Sequence, residues 1–171
     1  MTDLLSRQTN PRGWYFSAIS AVLCGALLLP VPTLFQRAWR SSWQPLTVLG
    51  AWLYRVGLIA TCVLGVTSPF QLPYGRIHVW LAFLAFMSQV AGLGVCFAVA
   101  SHARKSPALA MLSAFQVGLL CFLAYLFFTP AFFDERLWLL AVCEWGLGAL
   151  IAASTGILVA TLSAFASMTR T

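Results

Sequence analysis

The sequence predicts an all-α integral membrane protein, a single transmembrane domain over residues 1–171 built as a bundle of about five helices. The first observation is composition: 61% of the residues are hydrophobic and 8% are charged. Soluble domains carry about 45–50% apolar and about 25% charged residues. The second is that the apolar residues form five segments, each long enough to cross a hydrocarbon layer of about 30 Å. A soluble globule of this size has no means of burying so much apolar surface, so lipid is the expected solvent.

The five predicted spans are separated by short polar breaks, which contain charged residues, prolines or both. Short breaks imply that consecutive helices are antiparallel. Prolines near the span ends, such as Pro30 and Pro130, mark places where a helix is able to stop or kink. The predicted spans cover residues 14–35, 46–70, 77–100, 108–133 and 137–166.

The distribution of Lys and Arg predicts the orientation. One side of the membrane receives five of these cations, Arg37, Arg40, Arg104, Lys105 and Arg170. The other side receives four, Arg7, Arg12, Arg76 and Arg136. The positive-inside rule therefore predicts an outside N-terminus and a cytoplasmic C-terminus, and we expect the protein in the inner membrane of a bacterial cell.

Small residues at every fourth position recur in all five spans and predict close helix packing, because small side chains let helix backbones approach in lipid. The stripes are Ser17, Ala21 and Gly25; Gly57, Thr61 and Gly65; Ser88, Gly92 and Cys96; Ala110, Ala114 and Gly118; and Gly148, Ala152 and Gly156. The five cysteines lie in five different spans without CxxC spacing and are interpreted as packing residues.

Two ionisable residues lie inside predicted spans, Arg55 in the second and Glu144 in the fifth. Charged groups inside a membrane cost about 2.5–3.5 kcal/mol on insertion scales and by default mark sites. Each lies roughly eight residues into its span from opposite faces, so similar depths and an ion pair between them are predicted. The pair either clamps the two helices together or binds a lipid head group or a proton.

His78 begins the third span beside Arg76, at the expected outer interface. Ligation of a haem iron or a chlorophyll magnesium by His78 is the less favoured reading, and simple hydrogen bonding is the favoured one. His102 is expected on the opposite side of the membrane, so the two histidines are not expected to form a bis-histidine haem site. No cofactor is predicted.

Gln89 and Gln116 are mid-span amides that predict hydrogen bonds between helices.

The remaining patterns exclude several functions. No nucleophile with its base, phosphate loop, carboxylate pair or zinc motif is present, so an enzyme is not expected. The cations are scattered rather than arranged in a basic stripe, which argues against nucleic acid as a partner despite the net charge of +6.

Two local patterns resemble a known superfamily. Pro69 and Phe70 end one span before Gly75, Arg76, Ile77 and His78 open the next, with Ala82, Phe83 and Phe86 following; Cys143, Glu144 and Trp145 begin the last. This resembles the six-helix membrane proteins that include the damage-regulated autophagy modulators (DRAM) and the GPI-lipid-remodelling factors, over roughly residues 55–156. The resemblance implies that His78, Glu144 and Trp145 occupy positions the family tends to keep, and that the function concerns lipid handling or membrane regulation. This chain shows five spans rather than six.

These observations lead to two functional hypotheses. The first is a non-enzymatic membrane protein that binds lipid or another apolar ligand between its helices. Arg76, His78 and Glu144 are expected to line an outward-facing polar recess, and Trp145 is a further candidate ligand-binding residue. The second is a structural accessory subunit of a larger respiratory, photosynthetic or transport complex, which the very small loops favour. A transporter or channel would need a more polar lining than one Arg–Glu pair and two glutamines provide.

Overall fold

The structure, a computed structural model, confirms an all-α bundle; it describes residues 12–39, 43–67, 70, 76–129 and 137–168, and these residues contain no strand. Within these described ranges, five segments are long and apolar enough to cross a membrane, so the chain is an integral membrane protein. The helices are α1 (Trp14–Leu28), α2 (Pro30–Ala38), α3 (Gln44–Thr67), α4 (Arg76–Arg104), α5 (Pro107–Phe128) and α6 (Leu137–Met168).

The first span consists of two helices, because the α-helix is interrupted at Leu29. The Leu29 amide bonds to the Ala26 carbonyl at 3.3 Å, one residue short of the α-helical pattern. Pro30 follows at the first position of α2 and supplies no N–H to continue the ladder. The predicted interruption at this proline is confirmed, and α1 and α2 together form a span of 25 residues.

Several helix ends differ from the predicted ones. Helix α5 ends at Phe128, not at residue 133, and Pro130 disfavours helical backbone at Thr129. Helix α4 continues to Arg104, beyond the predicted end at residue 100, because the polar residues Ser101 and His102 still extend its hydrogen-bond ladder. The last turns of a membrane helix project into the head-group layer, where polar side chains are solvated and hydropathy stops indicating the helix end.

Helices α3 and α4 pack closely and antiparallel through glycines that face the opposite backbone. A Cβ added at Gly57 would lie 2.7 Å from the Gln89 amide nitrogen, and one at Gly92 would lie 2.4 Å from the Tyr54 amide nitrogen. A Cβ at Gly50 would lie 3.2 Å from the Cys96 sulfur. The three contacts fit one antiparallel alignment of the two helices, because residue numbers rise along α3 as the facing residue numbers fall along α4.

The same mechanism joins α1 to α3. A Cβ at Gly25 would lie 2.9 Å from the Leu58 carbonyl oxygen, and one at Gly65 would lie 2.9 Å from the Ala18 carbonyl oxygen. The small-residue stripes predicted in α1, α3 and α4 are therefore confirmed as contacts between helices.

Among the described residues, the stripe predicted in α5 and two members of the stripe predicted in α6, Ala152 and Gly156, do not pack against another helix, so that part of the prediction is wrong. Ala110, Ala114 and Gly118 of α5 are exposed. A Cβ added at Gly118 or at Gly156 would meet no heavy atom within 4 Å. Packing needs a facing helix as well as small residues, and these two faces lie on the outside of the bundle.

The buried core lies mainly between α2, α3, α4 and α6. Its largest fully buried side chains are Phe35, Tyr54, Leu58, Leu93, Phe97 and Leu158. We call the end of the bundle where α2, α4 and α6 finish and α3 and α5 begin the C-terminal face. The opposite end, which contains the starts of α1, α4 and α6, is the N-terminal face.

Candidate functional site

A layer of polar side chains crosses the bundle at the middle of its membrane-spanning helices. Tyr54 of α3 lies beside Thr155 of α6, and their hydroxyl oxygens are 2.7 Å apart. Thr155 donates its own proton to the Ile151 carbonyl at 2.8 Å. Tyr54 must therefore be the donor in the bond between the two helices. This contact fixes the depth of α6 relative to α3.

Gln116 of α5 contributes to the same layer. Its Nε2 donates to the Ser154 hydroxyl of α6 at 2.7 Å, and only 1% of its surface is exposed. Its Oε1 is buried and accepts no hydrogen bond from any part of the chain that the structure describes. An unsatisfied buried acceptor costs about 1–3 kcal/mol, so this oxygen is an open position for a donor from water or a ligand.

We call this layer, which consists of Tyr54, Arg55, Gln116, Ser154 and Thr155, the midplane layer. Arg55 is its charged member. It is half-buried at the centre of α3. Its Nη2 donates to the Thr33 hydroxyl of α2 at 3.0 Å. That bond uses one of the five N–H donors of the guanidinium, and its acceptor is neutral. A cation at this depth is costly and is expected to have a functional or ionic partner.

A second glutamine links α3 and α4 nearer to the N-terminal face. The Gln89 Nε2 donates to the Thr61 hydroxyl at 2.9 Å and lies 3.5 Å from the Gly57 carbonyl oxygen. The prediction that Gln89 and Gln116 form hydrogen bonds between helices is confirmed. Of the two, Gln116 retains an unused acceptor.

The ligand-binding residues predicted from the sequence are placed only by their backbones. Arg76 and His78 belong to the first turn of α4, and Glu144 and Trp145 lie in α6. Their side chains lie outside the described residues. The polar recess that Arg76, His78 and Glu144 were predicted to line therefore stays a prediction, as do ligand binding by Trp145 and ligation by His78.

The helix register bears on the predicted ion pair between Arg55 and Glu144. Thr155 lies level with Tyr54, next to Arg55. Glu144 precedes Thr155 by eleven residues, which corresponds to about 16 Å along α6, toward the N-terminal face. Arg55 extends instead to Thr33 of α2. The ion pair stays a prediction, and it would have to bridge this difference in depth.

The cysteines and potential metal ligands add no site within the described residues. Cys24, Cys62, Cys96 and Cys121 are free thiols in four different helices, and Cys143 has a side chain outside the described residues. Cys96 is fully buried, and Cys62 contacts the Val22 carbonyl at 3.6 Å. The same part of the chain contains no group of three or more His, Cys, Asp or Glu side chains that could hold a metal ion.

Sequence reasoning missed most of the midplane layer. Tyr54, Ser154 and Thr155 were not singled out from the sequence, because uncharged polar residues are common in membrane helices and carry no large insertion cost. The available signal was their position at the centres of their spans, far from the head groups. Comparison of the chain with protein-family models, with curated proteins and with solved structures found no match. The likeness to the six-helix superfamily therefore remains a prediction.

Proposed function

We propose that this chain is a non-enzymatic membrane protein that binds lipid or another apolar ligand between its helices. The observation that carries the proposal is Arg55, a half-buried guanidinium at the centre of a span whose hydrogen bond to Thr33 occupies one donor. A ligand that places an anionic or carbonyl oxygen beside Arg55 would offset the cost of this charge in hydrocarbon. Its apolar part would lie against the membrane-facing helices.

The partners proposed with this function are membrane lipids, and the proposed location is the inner membrane of a bacterial cell with the C-terminal face in the cytoplasm. This orientation places Arg37, Arg104 and Lys105 on the cytoplasmic side, as the positive-inside rule favours. Nucleic acid is not proposed as a partner, because the Lys and Arg residues are scattered along the sequence and form no basic stripe.

Purification in mild detergent followed by native mass spectrometry tests the proposal. We expect the wild-type protein to retain lipid or another apolar ligand, and Arg55→Gln to bind it about tenfold more weakly, because charge-assisted hydrogen bonds contribute about 1.5–3 kcal/mol. Arg37→Gln is the matched control, since Arg37 is exposed at the end of α2. Equal retention by wild type and Arg55→Gln, or a ligand-free wild type, would contradict the proposal.

A second candidate function is that of an accessory subunit in a larger membrane complex, and the outward face of α6 favours it. We call this surface the small-residue face. It consists of the exposed residues Gly146, Ala149, Ala152, Ala153, Gly156, Ala160 and Ser163. Among the described residues, no atom outside the local helix backbone lies within 4 Å of a Cβ added at Gly146 or Gly156. Lipid requires no small residues, whereas a helix of a partner subunit packs best against them.

Substitution of Gly156 by leucine tests the docking role of the small-residue face without changing the packing inside the chain. The open space at Gly156 predicts that Gly156→Leu leaves the chain folded but prevents a partner helix from approaching. We expect a stoichiometric partner to be lost on purification of Gly156→Leu and kept by Gly118→Leu, which enlarges an equally open position on α5. A partner that both variants retain would exclude the small-residue face as its docking surface, and a wild type without a partner would exclude the subunit role.

A further inference from the structure

Arg55 lies in a stripe of α3 that faces the membrane. The other residues of the stripe recur at helical spacing on both sides of Arg55, and all of them are apolar and exposed: Val48, Trp52, Ile59, Val63 and Val66. The half-buried guanidinium is the charged member of this surface. A small hydrated ion would have to cross hydrocarbon to reach it, whereas an amphiphile reaches it sideways from the bilayer. The apolar part of such an amphiphile would lie along the rest of the stripe.

The depth of the guanidinium follows from the contact between α2 and α3. The Thr47 hydroxyl lies 3.5 Å from the Trp39 carbonyl oxygen, so α2 ends beside the first turn of α3. Thr33, which accepts the hydrogen bond from Arg55, precedes Trp39 by six residues, or about 9 Å along the helix axis. The guanidinium therefore lies about 9 Å inside the end of α2, within the first membrane span.

The helices offer little to neutralise this charge. Glu144 is the only Asp or Glu within the bounds of the six helices, and the helix register places it about 16 Å from the level of Arg55 along α6. An arginine side chain keeps its charge in proteins, so its neutralisation requires an anion. The nearest source of an anion at this depth is the surrounding membrane.

Two donors beside each other are available to such an anion. The Arg55 Nη2 donates to the Thr33 hydroxyl oxygen at 3.0 Å, which uses one of the five N–H donors of the guanidinium. The Thr33 hydroxyl proton has no acceptor among the residues that the structure describes. The planar guanidinium matches the two oxygens of a carboxylate, and the Thr33 hydroxyl is close enough to donate to one of them.

We propose that the group bound at Arg55 is the carboxylate of a long-chain fatty acid. This inference rests on the proposed function and names the class of its ligand. A carboxylate brings one negative charge to one positive charge, whereas a neutral ester carbonyl would leave the guanidinium uncompensated. A phospholipid phosphate lies in the head-group layer and would have to be drawn about 9 Å inward together with its glycerol. A fatty acid has no such attachment.

Native mass spectrometry of the detergent-purified protein tests the ligand class with three probes that share one palmitoyl chain. These are palmitate, methyl palmitate and 1-palmitoyl lysophosphatidic acid. We expect palmitate to bind at least about tenfold more tightly than methyl palmitate, and Arg55→Gln to remove this preference. Equal binding of palmitate and methyl palmitate would overturn the carboxylate assignment. Lysophosphatidic acid that binds as tightly as palmitate, with the same loss in Arg55→Gln, would also overturn it.

The same experiment separates failure of this inference from failure of the proposed function. A co-purified lipid that is retained by the wild type and lost from Arg55→Gln, without any preference for palmitate, would overturn the fatty-acid assignment and leave the proposed function standing. If neither a co-purified ligand nor any of the three probes depends on Arg55, both are overturned.

Variants of neighbouring and distant residues localise the binding. Thr33→Val preserves the shape of the side chain but removes its hydroxyl, and is expected to weaken palmitate about threefold. Thr67→Val is the matched control, because it removes a hydroxyl that bonds to the Val63 carbonyl at the other end of α3. Lys105→Gln removes an exposed cation of the C-terminal face. Both controls are expected to change binding less than about twofold. Equal losses in Lys105→Gln and Arg55→Gln would show only general charge attraction and would overturn the site.

Discussion

Replacing Gly92 with alanine is expected to lower the free energy of unfolding by about 3 kcal/mol or more, because the new methyl group would overlap the backbone of α3. Its Cβ would lie 2.4 Å from the Tyr54 amide nitrogen and 2.7 Å from the Tyr54 Cα. These obstructing atoms belong to the helix backbone, which cannot relieve the overlap by changing rotamer. Helices α3 and α4 would have to separate, and the Gln89 bond to Thr61 would weaken with them. Reversible unfolding in mixed micelles measures the change.

Gly118→Ala is the matched control for that experiment. It adds the same methyl group to a helical glycine, but no heavy atom lies within 4 Å of the new Cβ. Alanine is a better helix former than glycine by about 0.5–1 kcal/mol, so the stability of Gly118→Ala is expected to stay the same or to rise slightly. Equal destabilisation of the two variants would mean that the close approach of α3 and α4 does not exist in the membrane.

The number and order of the membrane helices were predictable from the sequence for a physical reason. A helix that crosses hydrocarbon must satisfy its own backbone and must be apolar over about 20 residues, and both requirements are local. The break before Pro30 was predictable for the same reason, since a missing N–H is a property of one residue. Polar helix ends such as Ser101 to Arg104 were not, because head groups solvate them.

The midplane layer could not be predicted, because it depends on contacts between residues far apart in the chain. Tyr54 and Thr155 are 101 residues apart and meet only through the register of α3 and α6. Small residues posed the same difficulty: Gly92 and Gly156 look alike in the sequence, yet one faces a helix and the other faces outward. The turn after α4 posed a local difficulty, because Lys105 takes a left-handed conformation for which sequence rules expect glycine.

Replacing Arg55 with leucine is expected to make insertion of the α3 segment about 3 kcal/mol more favourable, because an arginine at the centre of a span is among the costliest residues to insert. Arg55 occupies the centre of the segment Gln44–Thr67. Insertion of the isolated segment, scored by the glycosylation of flanking acceptor sites, measures this change. Trp52→Leu, an exposed position one turn away, is the control and is expected to have little effect. An unchanged insertion efficiency for Arg55→Leu would mean that the guanidinium reaches water.

In the folded protein the same substitution distinguishes a ligand-binding role from an ion pair with Glu144. If Arg55 neutralised a buried Glu144, its loss would leave that carboxylate unpaired and cost about 3–5 kcal/mol. The register set by Tyr54 and Thr155 places Glu144 about 16 Å away along α6, so we expect Arg55→Leu to be far less destabilising than that. We expect Arg55→Leu and Glu144→Leu to be additive within about 0.5 kcal/mol, as separate sites are. A coupling free energy above about 1 kcal/mol would instead establish the ion pair, and the guanidinium would then be occupied by the chain itself.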